Sequence, residues 1–503
     1  MSTESPYAAL HEHYNQIADL DHIAAVLGWD EAVMMAESSG ESRARAMARL
    51  SVMRHELATS PRIGEWLEAV VDAELDSWRR ANVREIRREY RRAVCLPSDL
   101  VAAQSHANSR AEQAWRKLRA ENDFHTFSPL LGDVVKLERE AADHLASALG
   151  LSRYDALLDA FDPGLRSASI DPIFTELQGF LPGFCDQVIE RQKQSTIVHP
   201  QGPFPTAQQR SLSLRLMKAI GFDLTQGRLD VSHHPFCGGV PDDVRITTRY
   251  DENDFTSALM GALHEAGHGM YEQGLPEEWR GQPVGVARGM AVHESQSLLQ
   301  EMCVSRSAEF LTFASPLIAE EFGASDNSAA FEPENLFAVY TAVQRSFIRV
   351  DADEVTYPCH VILRYEIERD LIAGKLEVPD LPDVWDAKMR ELLSLPTGDN
   401  HKDGCMQDVH WPSGAFGYFP VYTLGAMAAS QFFRAACAAH PEIPENMKRG
   451  DFSALRDWLR TNVWSQASLK STEELIVGAT GKPLETAPFI AHLTERYLPA
   501  FSG

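Results

Sequence analysis

The sequence is short of positive charge: 47 Lys and Arg stand against 72 Asp and Glu, a formal net charge of −25. A surface this negative repels phosphate backbones and anionic lipid, so nucleic acid and membrane are excluded as main partners. It identifies no substrate, because an acidic surface also serves solubility alone. Cysteine is sparse and scattered. None of the seven residues (Cys95, Cys185, Cys237, Cys303, Cys359, Cys405, Cys437) falls in a C-x-x-C pair, and this odd, widely spaced set fits reduced thiols in a cytoplasmic protein. The opening Met-Ser-Thr-Glu-Ser-Pro-Tyr has neither a basic n-region nor an apolar h-region, so no secretory signal is expected. No uncharged apolar run reaches the roughly 18 residues of a membrane span. Internal repeats, low-complexity tracts and disordered linkers are also missing.

What is present is amphipathic helix. Apolar residues three and four apart mark Tyr7 to Gly28, Glu41 to Thr59, Arg62 to Leu96 (one helix or two), Leu100 to Glu121 and Leu130 to Leu149. Breaks are expected at Ser60-Pro61, Leu96-Pro97, Ser128-Pro129 and Gly150. The Arg- and Glu-rich stretch from Glu74 to Arg92 reads as a solvated face laced with i,i+4 pairs. Only Arg228 to Val231 and Asp243 to Tyr250 look like strands, the second alternating Val244, Ile246, Thr248 and Tyr250 with Arg245, Thr247 and Arg249. The expectation is a single, mainly α body with a small antiparallel sheet near its middle.

Residues 264–268 read His-Glu-Ala-Gly-His within a helical segment, Phe255 to Tyr271. Two histidines four apart project from one helix face, so both imidazoles can reach one ion. Zinc suits two nitrogen ligands with a position left open for water. Glu265 lies about 100° round the helix from His264, beside the ion, where a general base belongs. The alternative is a solvated His-Glu cluster on a surface helix, and a third ligand decides between them. Gly289 to Glu301 reads as a second helix, and Glu294 lies 26 residues beyond His268, far enough for the chain to turn back. Its carboxylate completes the set, with His293 the rival ligand. Glu301 is either a support for the site or a surface charge.

Taken together, His264 to His268 followed by His293-Glu294-Ser295 resembles the carboxypeptidase Taq family of zinc metallocarboxypeptidases. Three further signatures occur in order. Asp243-Val-Arg245-Ile-Thr247 matches D-x-R-x-T, Ile348-Arg349-Val-Asp-Ala-Asp353 matches I-R-x-x-A-D, and Gly404-Cys-Met-Gln407-Asp408-Val-His410-Trp411 matches G-x-x-Q-D-x-H-W. Leu27-Gly-Trp29-Asp30, the stretch from His55 to Pro61 and that from Tyr154 to Gly164 extend the resemblance over nearly the whole chain. Only Leu298-Leu299-Gln300 departs, being less aromatic and charged than the family pattern.

The resemblance implies a large two-lobed helical fold with a deep central groove, similar to neurolysin-like and angiotensin-converting-enzyme-like peptidases. A helical part at about 1–200 is expected to cover the groove and a part at about 201–503 to carry the catalysis, within one domain. It also implies a homodimer that takes peptides with a free C-terminus and removes single residues with broad tolerance, using one Zn2+ per chain that Co2+ can replace.

A carboxypeptidase needs a fixed cation for the terminal carboxylate, best a bidentate arginine. Arg349 is the first candidate, with Asp351 and Asp353 to orient it, and Arg245 the second. Each has a structural alternative, a buried Arg–Asp pair supporting the groove. The stretch from His410 to Tyr422 is rich in glycine and aromatics. By similarity to related peptidases, His410 and Tyr418 are expected to face the substrate and stabilise the oxyanion, with Tyr422 in reserve or structural. Gln407 holds the substrate backbone or caps its loop. His233-His234-Pro235 lines the groove or shapes a turn, and Cys405 is a packed thiol.

Overall fold

The computed structural model describes residues 5–194, 196–323 and 328–498. Met1–Glu4, part of the stretch read for a signal, lie outside them. The chain opens with α1 (Pro6–Val33), α2 (Gly40–Ala58), α3 (Pro61–Ala69), α4 (Ser77–Cys95), α5 (Ser98–Ala120), α6 (Phe124–Leu149), α7 (Arg153–Phe161) and α8 (Ser167–Gln192). The stretch from Arg62 to Leu96 resolves into two helices, because Asp76 caps a fresh start by accepting the Arg79 N–H at 2.8 Å. The break expected at Ser128-Pro129 does not occur. Asp123 caps α6 by accepting the Thr126 N–H at 3.0 Å, which puts Pro129 in an early turn, where its ring forfeits one backbone bond.

After α9 (Thr206–Ile220) come β1 (Gly227–Val231), β2 (Phe236–Val240) and β3 (Asp243–Thr248), in the order β1-β3-β2. β2 and β3 are antiparallel, Cys237 facing Ile246, while β1 and β3 run parallel, Leu229 facing Ile246. The sheet is therefore mixed and not antiparallel throughout. β2, Phe-Cys-Gly-Gly-Val, carries no alternation that would mark it in sequence. Its hairpin return inserts β3 between the two earlier strands, which sets β3 parallel to β1.

The remaining helices are α10 (Phe255–Gln273), α11 (Gly289–Leu298), α12 (Ala308–Phe322), α13 (Pro333–Tyr340), α14 (Tyr357–Ala373), α15 (Leu381–Leu393), α16 (Pro420–Ala439), α17 (Ile443–Lys448), α18 (Ser453–Asn462), α19 (Thr472–Thr480) and α20 (Thr486–Tyr497). No helix among the described residues is long and apolar enough to cross a membrane.

Two hydrophobic cores organise the fold. The larger takes in side chains from Ala111 to Tyr497, with α10, α11, α14 and α16 at its heart. The smaller joins Leu10, Tyr14 and Ile17 of α1 to Ile63 and Leu67 of α3 and Val83 and Ile86 of α4. Burial of each such side chain contributes roughly 1.5–3 kcal/mol, so the N-terminal helices hold together as a body of their own. α2 buries no residue. A cavity of about 750 Å³ runs between this body and the larger one, walled by Tyr14, Ile17 and Glu89 on one side and Glu272, Gln282 and Val286 on the other.

Candidate active site

α10 starts from Asp254, whose side chain accepts the Thr256 N–H at 2.9 Å. The helix presents His264 and His268 one turn apart, their rings 5.1 Å apart and near perpendicular. α11 packs directly against this turn because residue 267 is glycine. A Cβ there would lie 2.5 Å from the Gln296 carbonyl oxygen and 2.7 Å from Ser297 Cα, closer than real contacts allow. Gly425 of α16 permits a similar approach from the other side, a Cβ there falling 3.0 Å from Glu294 Cβ. Glu294 is thereby pressed between α10 and α16, with Oε2 3.1 Å from His268 Nε2 and Oε1 4.0 Å from His264 Nε2. Ligand atoms of the three residues lie within 4.8 Å of one another. The edge of a tetrahedral zinc site with bonds of ~2.0–2.1 Å is about 3.3–3.4 Å, so the donor set and its spacing fit such an ion.

The electrostatics of the cluster favour a cation. Burial pushes the Glu294 carboxyl up, but the His268 hydrogen bond and the His264 charge outweigh it and hold it at about 2. Burial pushes His264 down, and the Glu301 hydrogen bond with the charges of Glu294, Glu301 and Glu265 carries it up to about 10. A metal ion placed here displaces that proton. At His268 burial prevails and its value falls to about 4.

Both imidazoles are held from behind. His264 Nδ1 is 2.8 Å from Glu301 Oε2, and Arg306 Nη2 donates to Glu301 Oε1 at 2.5 Å. His268 Nδ1 is 2.7 Å from His293 Nδ1, and His293 Nε2 is 2.7 Å from Glu272 Oε1. His293, the rival ligand in sequence, therefore stands behind the cluster and not in it. The second helix changes to a π-helix at Leu299–Ser305 instead of running on to Glu301 as α. This wider turn lies where Leu298-Leu299-Gln300 departs from the family pattern, and it carries Glu301 to His264.

The cluster opens on a cavity of about 370 Å³. His264, Glu265, Glu294 and Glu301 line it together with Arg349, Tyr357 and Tyr422, a second arginine, Arg306, the acidic Asp353 and Glu354, and the apolar Pro235, Leu298, Met302 and Ala426. Glu265 is 8% exposed. Burial, with the nearby Glu294 and Glu301 charges, pushes its carboxyl up to about 7, against the pull of His264.

The family model for carboxypeptidase Taq (M32) metallopeptidases matches residues 9–497. The chain belongs to the carboxypeptidase Taq family. It is 40% identical over 511 residues to thermostable carboxypeptidase 1 of Thermus thermophilus, covering 99% of each chain. Its fold matches metallocarboxypeptidase 1 of Trypanosoma cruzi with a TM-score of 0.96 at 38% identity, over 98% of this chain and 99% of that one. It also matches a carboxypeptidase of the same family from Deinococcus radiodurans R1, with a TM-score of 0.93 at 34% identity over 98% and 99%. The protein is a metallocarboxypeptidase, and its metal cofactor has a fitting site in His264, His268 and Glu294.

In this family member Arg349 is buried at the cavity wall, but its partners differ from those expected. Nε and Nη2 both donate to Asp408 at 3.1 Å, Nη1 donates to the Tyr357 hydroxyl at 2.6 Å, and the Tyr422 and Phe419 rings lie 5.2 Å from the guanidinium. Asp353 instead accepts the backbone N–H groups of Gln344, Val355 and Thr356. Arg364, 1% exposed, also reaches Asp408, at 2.7 Å. Burial raises the Asp408 carboxyl, and the two guanidiniums return it well below the ordinary range. Gln407 has both ends of its amide engaged within the protein. Its amide accepts the Arg349 N–H at 2.8 Å and donates to the Phe347 and Asp403 carbonyls, clipping one loop to the next.

Arg245 is absent from the cavity wall. It pairs with Asp243 at 2.6 Å, and its guanidinium lies 4.3 Å from the Trp29 ring of α1, so it ties the sheet to the N-terminal body. His410 stacks on Tyr418 with rings 5.9 Å apart, and burial pushes it down to about 4. Tyr418 meets Phe161 and Tyr422 edge-on. Of the three expected oxyanion groups it is Tyr422 that lines the metal cavity, the side chain that read as structural. Cys405 is buried, its thiol pushed up to about 12 by burial, as a packed thiol should be.

Sequence reasoning missed Glu272, Arg306 and Glu368. Glu368 is fully buried and accepts from Trp411 Nε1 at 2.8 Å, the Gly417 N–H at 2.9 Å and the Tyr154 hydroxyl at 3.0 Å, anchoring the His410–Tyr422 loop. No spacing distinguishes Glu368 from its charged neighbours Arg364, Glu366, Arg369 and Asp370 on α14. Glu272 had a signal, lying four residues beyond His268 on the same face.

Proposed function

We propose that the chain is a zinc carboxypeptidase that releases single residues from the C-terminus of peptides, with broad side-chain tolerance. One observation carries this reading: the cavity lined by His264 and Glu294 of the metal triad is also lined by a buried arginine, Arg349, held in place by Asp408. A terminal carboxylate bound there lies within one small cavity of the ion, which limits the reaction to the last peptide bond. Arg349 and Arg364 share Asp408, so one carboxylate faces two guanidiniums and leaves a net positive charge for the substrate's terminus. The apolar side chains in the lining suit varied terminal residues.

A bound zinc supplies Lewis-acid polarisation of the scissile carbonyl and the attacking water. Glu265 takes the water's proton and returns it to the leaving amine, a role suited to a carboxyl pushed up to about 7. The Tyr422 hydroxyl, pushed up to about 12 chiefly by burial, keeps its proton and donates to the developing oxyanion, with Tyr418 and His410 setting its position. One such donor contributes about 3–4 kcal/mol. Co2+ suits the same donors. The rest of the proposal is a single 1–503 catalytic unit, a homodimer, working in the cytoplasm on peptides with a free C-terminus.

Digestion of an N-terminally blocked hexapeptide tests this. Single amino acids should appear one after another, and the C-terminally amidated peptide should stay intact. Dipeptides or internal fragments would instead indicate a dipeptidyl carboxypeptidase or an oligopeptidase.

A further inference from the structure

The two histidines of the cluster are supported in different ways. His264 meets a carboxylate directly, at 2.8 Å, and Arg306 fixes that carboxylate. His268 meets no carboxylate from behind. Its Nδ1 faces the Nδ1 of a second imidazole, His293, at 2.7 Å, and only beyond His293 does a carboxylate appear, Glu272 Oε1, 2.7 Å from Nε2.

Two facing ring nitrogens need one proton between them, and a neutral imidazole has only one to offer. His268 Nε2, 3.1 Å from Glu294 Oε2, must present a bare lone pair to hold a cation. Its proton therefore sits on Nδ1 and is donated to His293 Nδ1. That nitrogen has to accept, so the His293 proton sits on Nε2, which donates to Glu272. A single assignment of protons satisfies every contact. Glu272 lies one turn beyond His268 on α10, and His293 is the chain neighbour of Glu294 on α11, so the relay also ties together the two helices that supply the three ligands.

We propose that His293 and Glu272 are positioning residues for the metal: they fix the tautomer and ring orientation of His268 and thereby set the affinity of the site for its ion. Packing alone is the competing account, since the His293 ring also lies 4.6 Å from that of His268 and 5.6 Å from Tyr271. The two accounts separate at Glu272, whose side chain is 25% exposed and adds hydrogen bonding without being part of the ring stack.

The test is zinc affinity, measured on the metal-free protein by competition with a colorimetric chelator, alongside the thermal midpoint of the metal-free form. His293→Phe keeps a ring and removes both nitrogens, and zinc should bind roughly 10–100-fold more weakly. Glu272→Ala should weaken binding in the same direction, about tenfold. Glu272→Gln, whose amide oxygen can still accept from Nε2–H, should recover most of that loss. The midpoint of metal-free Glu272→Ala should match the wild type. If His293→Phe fails to fold, the Glu272 pair decides alone. Zinc affinity within twofold of wild type for Glu272→Ala, or no recovery in Glu272→Gln, would overturn the relay.

Discussion

Glu265→Gln is expected to lower kcat by roughly 10²–10⁴-fold while leaving a full complement of metal. Glutamine keeps the shape and a hydrogen bond but cannot take a proton from water and return it to an amine. The three ligands lie on other atoms of α10 and α11, so metal content should not fall with activity. The pH dependence has a definite sign. The base works ionised, so kcat/KM should rise with pH through its titration. Burial places that titration at about 7 in the metal-free cluster, and a bound cation moves it lower. The acid limb should therefore lie at or below pH 7 and disappear from the residual activity of the glutamine variant. Pre-steady-state rates with metal analysis on the same samples check both points. A variant with wild-type kcat would remove Glu265 from the chemistry.

Arg349→Met should cost about 2–5 kcal/mol in kcat/KM, roughly 30-fold to several thousand-fold, which is the usual penalty for losing one partner of a buried charged pair. The protein should still fold, because Asp408 keeps Arg364 at 2.7 Å and is not left as an unpaired buried charge. The diagnostic result lies in the substrate. Wild type should strongly prefer a free terminal carboxylate over an amide, and the variant should lose most of that preference. Lysine at 349 should restore little of it, since a single ammonium cannot both hold Asp408 as Nε and Nη2 do and offer a further donor to the substrate. If the methionine variant discriminates acid from amide as wild type does, the carboxylate is bound elsewhere.

Much of this site is legible in the sequence alone, for a simple reason. Helical spacing fixes direction, so His264, Glu265 and His268 declare their geometry in five residues, and several helix boundaries follow from caps and prolines, Pro129 inside α6 being an exception. Burial that depends on distant segments is not legible. Whether Glu301 stands behind His264 depends on the π-helix at Leu299–Ser305, whose sequence holds no glycine or proline to mark the wider turn. Asp408 as the partner of Arg349 joins residues 59 apart, where sequence proximity favoured Asp351 and Asp353. Tyr422 read as structural because tyrosines generally bury one end, and only the packing of α16 on α11 brings it to the cavity. Gly267 and Gly425 are the reverse case: plain in the sequence, they become meaningful once the helices they bring together are known.

The most direct test of the whole account is an anomalous-difference map at the zinc edge from crystals of the zinc-loaded protein. It should show one peak per chain, bonded at ~2.0–2.2 Å to His264 Nε2, His268 Nε2 and a carboxylate oxygen of Glu294, with Glu265 beside the ion and not on it. A peak elsewhere, or Glu294 turned away from the ion, would contradict it.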